Sequence, residues 1–162
     1  VLRVAAVEPD VRFVAVDAID AAVYHRVTAA PHHRDGIVLL NSGLFGLSNH
    51  LLETPWPKVE KGKSEIQELL RSPIVRHEEL FRVLSDETIS DDHRLPDTGI
   101  GLERERALSA AFIRSPGYGT RSSTVIMVDY NNHVSFHERT FHPGKKEFSH
   151  QTFQYTIGQT AH

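Results

Sequence analysis

The residues best suited to chemistry lie at 117–124, where the sequence reads Gly-Tyr-Gly-Thr-Arg-Ser-Ser-Thr. The two glycines let the backbone approach a partner closely. Arg121 carries a planar set of donors that matches a carboxylate or a phosphate, and hydroxyl side chains such as Ser122 surround it. Two interpretations stay open: Arg121 binds a ligand, or it pairs with a structural carboxylate such as Glu103 or Glu105.

A second polar group occurs at 46–50, Gly-Leu-Ser-Asn-His, where a predicted strand ends. Asn49 either caps a turn or presents its amide to a ligand. An unpaired buried charge costs several kcal/mol, and buried amides are nearly always hydrogen-bonded. A shared cleft would give the Arg121 charge access to water or a counter-charge and would give the Asn49 amide hydrogen-bond partners. We therefore predict that Asn49 and Arg121, with Ser48 and Ser122 beside them, line one pocket for a small-molecule ligand.

Histidine is abundant, with 11 residues, whereas cysteine is absent. The absence of cysteine excludes disulfides, thiolate metal sites and cysteine nucleophiles within this sequence. No His-Glu-x-x-His motif occurs. A metal site would therefore need histidine and carboxylate ligands brought together by folding. We interpret the histidines as scattered surface residues and predict no metal site.

The composition is that of an ordinary globular protein, with 18 Lys and Arg against 21 Asp and Glu and a net charge of -3. This acid excess argues against a nucleic acid or an anionic membrane held by bulk charge. No apolar run approaches the roughly 18 residues of a membrane span, so no transmembrane segment is expected. The length predicts a single domain over residues 1–162. Without a visible leader peptide, the expected location is cytoplasmic, and the oligomeric state is not predicted.

Helices are predicted in the middle of the chain, near 59–71, 75–84 and 102–110, from apolar residues at helical spacing. In the second of them, Glu78 precedes Arg82 by four residues, the spacing of a helical ion pair. Four earlier segments are predicted as strands of an antiparallel meander by their β-branched and aromatic content: 11–17, 21–27, 36–40 and 44–47.

The final third of the chain returns to strands. The run at 124–128 has no polar alternation, so both of its faces are expected to be covered. The turn at Asn131 and Asn132 suits a hairpin, because asparagine tolerates positive φ, and 133–141 forms the return strand. Alternating aromatic and polar residues at 152–157 predict a last, half-buried strand. This order predicts an α+β fold with a mainly antiparallel sheet.

Three blocks of this sequence resemble the signature of the NRDE family, which includes the Transport and Golgi organization protein 2 group. Residues 46–59 read Gly-Leu-Ser-Asn-His-Leu-Leu-Glu-Thr-Pro-Trp-Pro-Lys-Val and resemble the central block. Residues 95–103 read Leu-Pro-Asp-Thr-Gly-Ile-Gly-Leu-Glu and resemble the family's next block. Residues 118–125 read Tyr-Gly-Thr-Arg-Ser-Ser-Thr-Val and resemble its third block. With their flanks, the blocks keep the family's order and cover 44–66, 95–109 and 118–141.

The resemblance implies the αββα sandwich of N-terminal-nucleophile hydrolases, two antiparallel sheets between helical layers. Family members begin with Met-Cys and carry an Asn-Arg-Asp-Glu block, and neither feature occurs in this sequence. The resemblance therefore implies a fragment that lacks the first strands of the fold, or a chain that has lost its nucleophile. No catalytic residue is predicted in the chain as given.

The resemblance also implies two further functions. One is amidohydrolase chemistry of the N-terminal-nucleophile type in complete members, in which the first side chain attacks a carbonyl. The other is haem or lipid trafficking or binding related to Golgi organisation, with haem as a candidate ligand. For this chain we expect a family member of unsettled molecular activity with a pocket near Asn49 and Arg121.

Overall fold

The computed structural model describes residues 2–7, 11–17, 43–48, 52–142 and 147–158. Strands come first, helices follow and strands return, which confirms a mixed α and β structure. The strands are β1 (Arg3–Val7), β2 (Val11–Asp17), β3 (Gly43–Leu47), β4 (Arg114–Ser115), β5 (Tyr118–Gly119), β6 (Ser122–Asp129), β7 (His133–Phe141) and β8 (Phe148–Thr156). The helices are α1 (Pro57–Leu69), α2 (His77–Leu84) and α3 (Leu102–Ser109), with a short 3₁₀ helix at Asp92–Arg94.

Among the described residues, six strands form one antiparallel sheet in the order β3-β1-β2-β6-β7-β8, and β4 pairs with β5 in a separate ribbon. The predicted strands at 11–17 and 44–47 are confirmed, whereas those at 21–27 and 36–40 lie outside the described residues. The sequence pattern did not predict β1. Strand β1 lies between β2 and β3, and β2 pairs with β6 on its other side. In the predicted meander, each strand would instead pair with the next strand along the chain.

Helix α1 begins at Pro57, where the missing N–H of proline costs little because that position has no helical partner. The predicted apolar stripe is confirmed: Ile66 is fully buried, and Leu69 and Leu70 pack against the core. Helix α2 begins at His77, two residues later than predicted. The helix predicted at 102–110 is confirmed as α3.

The inward face of α2 is as predicted, with Leu80, Phe81 and Leu84 buried. The predicted pairing of Glu78 with Arg82 is wrong. The carboxylate of Glu78 accepts a hydrogen bond from Arg139 of β7 instead, and the closest carboxylate to Arg82 is that of Glu79, at 3.7 Å. The Arg139 side chain is 14% exposed and that of Arg82 is 77% exposed, so solvent screens the pairing of Glu78 with Arg139 less.

The core lies between the helices and one face of the sheet. Phe81 of α2 and Val125 of β6 both belong to it and are fully buried. Buried side chains from α1, from α2, from β6, from the chain before β1 and from the segment after α3 make up this cluster: Leu2, Val59, Ile66, Leu80, Phe81, Val83, Leu84, Ala111 and Val125. Since side chains alternate along a strand, the next residue of β6 points to the opposite face.

The opposite face of the sheet is more exposed than predicted. The β6–β7 hairpin is confirmed, and Asn132 has the positive φ of 59° that its turn needs. However, only the first part of 124–128 is buried, since Ile126 is partly exposed. On β8, Phe153 and Tyr155 are 54% and 56% exposed, so the prediction of a half-buried strand is wrong. The reason is that β8 is the sheet edge and no described element covers this face.

Candidate functional site

A cavity of about 1010 Å³ lies beside the β4–β5 ribbon. Its wall is built from this ribbon, the residues that lead into β6, the end of β7 and the start of β8. Pockets that bind small molecules commonly have volumes of about 300–1,000 Å³. The cavity thus has the size of a small-molecule site, and Arg121 is one of its lining residues.

The β4–β5 ribbon fixes the backbone around Arg121. Gly117 closes the ribbon's turn with a φ of 75°, a left-handed conformation that glycine adopts without steric cost. Two hydrogen bonds then tie Thr120 to Ile113: the Thr120 backbone N donates to the Ile113 O at 2.8 Å, and the Ile113 N donates to Thr120 Oγ1 at 3.0 Å. The carbonyl of Arg121 accepts a hydrogen bond from Phe141 at 2.8 Å. The backbone of Arg121 is therefore held to β7, and the residue before it to the segment that leads into β4.

Three phenylalanine rings form a connected apolar part of the wall. Phe112 meets Phe141 edge to face, with ring centroids 4.7 Å apart and planes at 85°. Phe141 in turn meets Phe148 of β8 at 5.8 Å. Such pairs contribute about 0.5–1.5 kcal/mol beyond the burial of their area. The rings thus give the cavity an apolar wall, packed edge to face, that an apolar ligand body can contact.

Two arginines of the cavity differ in their partners. Arg114 donates to Glu87 at 2.9 Å, and this hydrogen bond raises the pKa of Arg114. Arg121 is exposed and forms no ion pair with any residue that the structure describes. The interpretation that Glu103 or Glu105 neutralises Arg121 is wrong, since Glu103 pairs with Arg106 and Glu105 accepts hydrogen bonds from a threonine. Within the described residues, the guanidinium of Arg121 therefore has no carboxylate partner.

The other residues predicted for this pocket lie apart from the cavity wall or outside the described residues. Ser122 begins β6 and is half-buried, and Ser48 is buried where β3 ends. Both stand at the same end of the sheet, with β1 and β2 between their strands. Strands are about 4.8 Å apart, so β3 and β6 are separated by roughly 14 Å. Asn49 lies outside the described residues, and its partnership with Arg121 stays a prediction.

The aromatic wall is the part of the site that the sequence did not indicate. Phe112 follows α3, Phe141 ends β7 and Phe148 begins β8, so the three rings come from distant segments. Phe141 and Phe148 each have polar neighbours in the sequence, and Phe112 follows a pair of alanines. Their convergence depends on how β7 and β8 pair beside the ribbon, and no local signal in the sequence reports that pairing.

A smaller cavity of about 290 Å³ lies where α1 meets α3. Lys58 is buried there and donates from Nζ to the carbonyl of Leu108 at 2.6 Å, in the last turn of α3, where a positive charge is favourable. Glu105 is also buried and accepts a hydrogen bond from the backbone N of Thr98 at 2.8 Å. Because these contacts join the two helices and the loop before α3, we assign them to the fold.

The described part of the chain is thus an α/β structure with helices packed on one face of an antiparallel sheet and a cavity walled by aromatic rings and arginine. None of its helices is both long and apolar enough to span a membrane. The chain belongs to the Transport and Golgi organisation 2 family, whose model matches residues 12–143. This match confirms the resemblance that the signature blocks indicate.

Three mammalian relatives show the same relationship. The human Transport and Golgi organization protein 2 homolog is 37% identical over 131 residues, which cover 74% of this chain and 47% of the human protein. The Bos taurus protein of the same name is 43% identical over 117 residues, which cover 64% of this chain and 40% of the bovine protein. The Mus musculus homolog is 34% identical over 129 residues, which cover 74% of this chain and 47% of the mouse protein. The chain therefore spans a little under half the length of these relatives.

Proposed function

We propose that this chain is the small-molecule-binding part of a Transport and Golgi organisation 2 family protein, and that Arg121 binds an anionic group of the ligand. The observation that carries the proposal is the exposed guanidinium of Arg121, without an ion pair among the described residues, at the wall of a cavity of about 1010 Å³. The rings of Phe112, Phe141 and Phe148 receive the apolar body. Ser48, Asn49 and Ser122 remain proposed additional contacts.

Binding is favoured over hydrolysis by what the sequence contains. Amidohydrolysis of the N-terminal-nucleophile type needs a nucleophilic first side chain, and a cysteine nucleophile must come from outside these 162 residues because none occurs within them. Binding needs only the groups that the cavity presents. Haem and anionic lipids are candidate ligands because both join acidic groups to an apolar body, and the relatives' name is consistent with a role in transport.

Fluorescence titration with anilinonaphthalene sulfonate, an anionic aromatic probe, tests the role of Arg121. We expect Arg121→Gln to raise the dissociation constant about tenfold, since a hydrogen bond to a charged group contributes about 1.5 kcal/mol, close to one decade in affinity. Binding of phenylnaphthylamine, which lacks the sulfonate, should not change.

The matched control for that titration is Arg104→Gln, because Arg104 is an exposed arginine on α3 away from the cavity wall. The proposal is wrong if Arg121→Gln binds the sulfonate as tightly as the unaltered protein, or if Arg104→Gln weakens it equally. Displacement of the probe by haem or by oleate then shows which ligand class the cavity accepts.

We also propose that the sheet belongs to an αββα sandwich and that a second sheet, from residues outside this chain, covers its exposed face. The support is the apolar character of that face, where Phe153, Tyr155 and Ile157 are each at least half exposed. A face with several large exposed apolar side chains marks a contact surface, and antiparallel sheets bury such faces against another layer.

The sandwich proposal predicts a context-dependent mutation. In this chain, Phe153→Ala should change the free energy of unfolding by no more than about 0.5 kcal/mol, because the ring is an exposed surface residue. In a longer family protein that includes the preceding strands, the same substitution should cost about 3–5 kcal/mol, because the ring is then in a core. Urea denaturation of both proteins measures the difference, and equal costs would contradict the second sheet.

A further inference from the structure

Three histidines from different elements meet where α2 packs against β7 and β8. The ring of His77, the first residue of α2, stacks on that of His137 in β7, with centroids 3.8 Å apart and planes at 6°. His150 of β8 completes the group, 6.1 Å from His77 and 5.8 Å from His137. The sequence alone suggested scattered surface histidines; the structure brings these three together, with His137 buried, His77 partly buried and His150 exposed.

The geometry disfavours a proton on buried His137 and disfavours protonation of both rings of the stacked pair. His137 is buried, and both of its ring nitrogens have partners: Ser135 Oγ at 2.6 Å from Nε2 and Thr152 Oγ1 at 3.2 Å from Nδ1. Two imidazolium rings stacked at 3.8 Å would repel each other strongly in a partly buried site. Burial lowers the pKa of His137, and the charges of His77 and His150 lower that pKa further.

The charged neighbours offer little compensation for added protons. Arg139 of β7 lies over the Phe81 ring at 4.0 Å, and the Phe148 ring lies 4.7 Å away. Glu78 of α2 is the carboxylate that faces the cluster in the described structure: its Oε1 lies 3.4 Å from Nε2 of His77, and its Oε2 accepts a hydrogen bond from Arg139. The Arg139 and Glu78 charges cancel at neutral pH. Each protonated imidazole therefore adds a positive charge that has no further carboxylate opposite it among the described residues.

A metal ion is a poorer explanation of the cluster. Nearly parallel stacked rings do not direct their nitrogens toward one point, and the ring nitrogens of His137 are occupied by hydroxyl groups. Within the described ranges, no group of three ligating side chains is arranged to hold a metal ion. Protonation is the chemistry that this arrangement leaves to the cluster.

We propose that His77, His137 and His150 form an acid-sensitive latch, which holds α2 on β7 and β8 while the imidazoles are neutral and releases α2 when they become protonated. The sign follows from linkage: an imidazole whose pKa is lowered in the closed state binds more protons when the latch opens. Its stabilising contribution is complete above the ordinary pKa of about 6.5 and is lost as the pH falls below that value.

Hydrogen exchange of the whole chain, measured by mass spectrometry between pH 7.5 and 5.5 and corrected for intrinsic rates, tests the latch. Each proton taken up on opening favours the open state about tenfold per pH unit. We therefore expect the protection factors of α2 and β8 amides to fall by about tenfold or more across this range, with those of α1 unchanged. Equal loss of protection in α1 and α2 would indicate global unfolding and overturn the proposal.

Two variants make the assignment specific. His150→Gln removes one ring of the cluster at the exposed sheet edge without opening the core, and it should flatten the pH dependence of α2 protection. His133→Gln is the matched control, because His133 is exposed on the same strand as His137 and pairs with Asp129 at 2.9 Å, away from the cluster. The latch is wrong if the two variants show the same pH dependence as the unaltered chain, or if α2 protection does not vary with pH.

Discussion

Replacement of Phe81 by alanine is expected to lower the free energy of unfolding by about 3–5 kcal/mol, the cost of removing a large aromatic side chain from a well-packed core. Phe81 is fully buried in the cluster that joins both helices to the sheet. Its ring also lies 5.8 Å from His150, edge to face, and beneath the guanidinium of Arg139. Alanine would remove the core contacts and both of these ring contacts together.

Urea denaturation of the whole chain measures this effect, with Ile74→Ala as its control. Ile74 is 68% exposed in the loop before α2, so its loss should stay within about 0.5 kcal/mol. A similar small change for Phe81→Ala would contradict the packing of α2 on the sheet. A large change at Ile74 would mean that the loop is covered by residues outside the described ranges.

The elements predicted correctly from the sequence are those with local signals. The helical stripe that contains Ile66 and the hairpin turn at Asn131 and Asn132 each depend on residues a few positions apart. Apolar spacing alone selects a helix in the first case, and the tolerance of asparagine for positive φ selects a turn in the second. Such features need no knowledge of the rest of the chain.

The predictions that were wrong concern contacts between distant segments. The spacing of Glu78 and Arg82 suits a helical pair, but Arg139 of β7 takes the carboxylate. The alternation on β8 predicts one buried face, yet Phe153 is 54% exposed because no described element lies over it. Periodicity identifies which side chains share a face, whereas the occupant of that face depends on tertiary packing.

In the candidate site, too, the sequence indicated the local features and not the contacts between distant segments. The glycines and hydroxyls around Arg121 were visible in the sequence, and the structure places Arg121 at a cavity. The three rings of the cavity wall and the stacked pair of His77 and His137 were not visible, because strand pairing brings them together from distant positions. Asn49 lies outside the described residues, so its role stays a prediction.

Substitution of Gly46 by alanine is expected to destabilise the chain by about 1–3 kcal/mol, the usual cost of adding a methyl group to a filled interior. A Cβ at this position would lie 2.5 Å from Cγ1 of Val59 and 3.1 Å from Cδ of Lys63, both on α1. The long lysine side chain can move aside, but Val59 is buried and its branched side chain has few alternative rotamers. Helix α1 must therefore shift away from β3.

The cause of that loss can be isolated by a double-mutant cycle with Val59→Ala, which removes the methyl group that the new Cβ meets. If the close approach of β3 and α1 is responsible, Gly46→Ala should cost less in the Val59→Ala background, with an interaction energy of about 0.5–3 kcal/mol. Gly158→Ala is the control, since no atom lies within 4 Å of a Cβ there. Additive costs in the cycle would show that α1 does not rest on Gly46, and that the central signature block is not held in place by this contact.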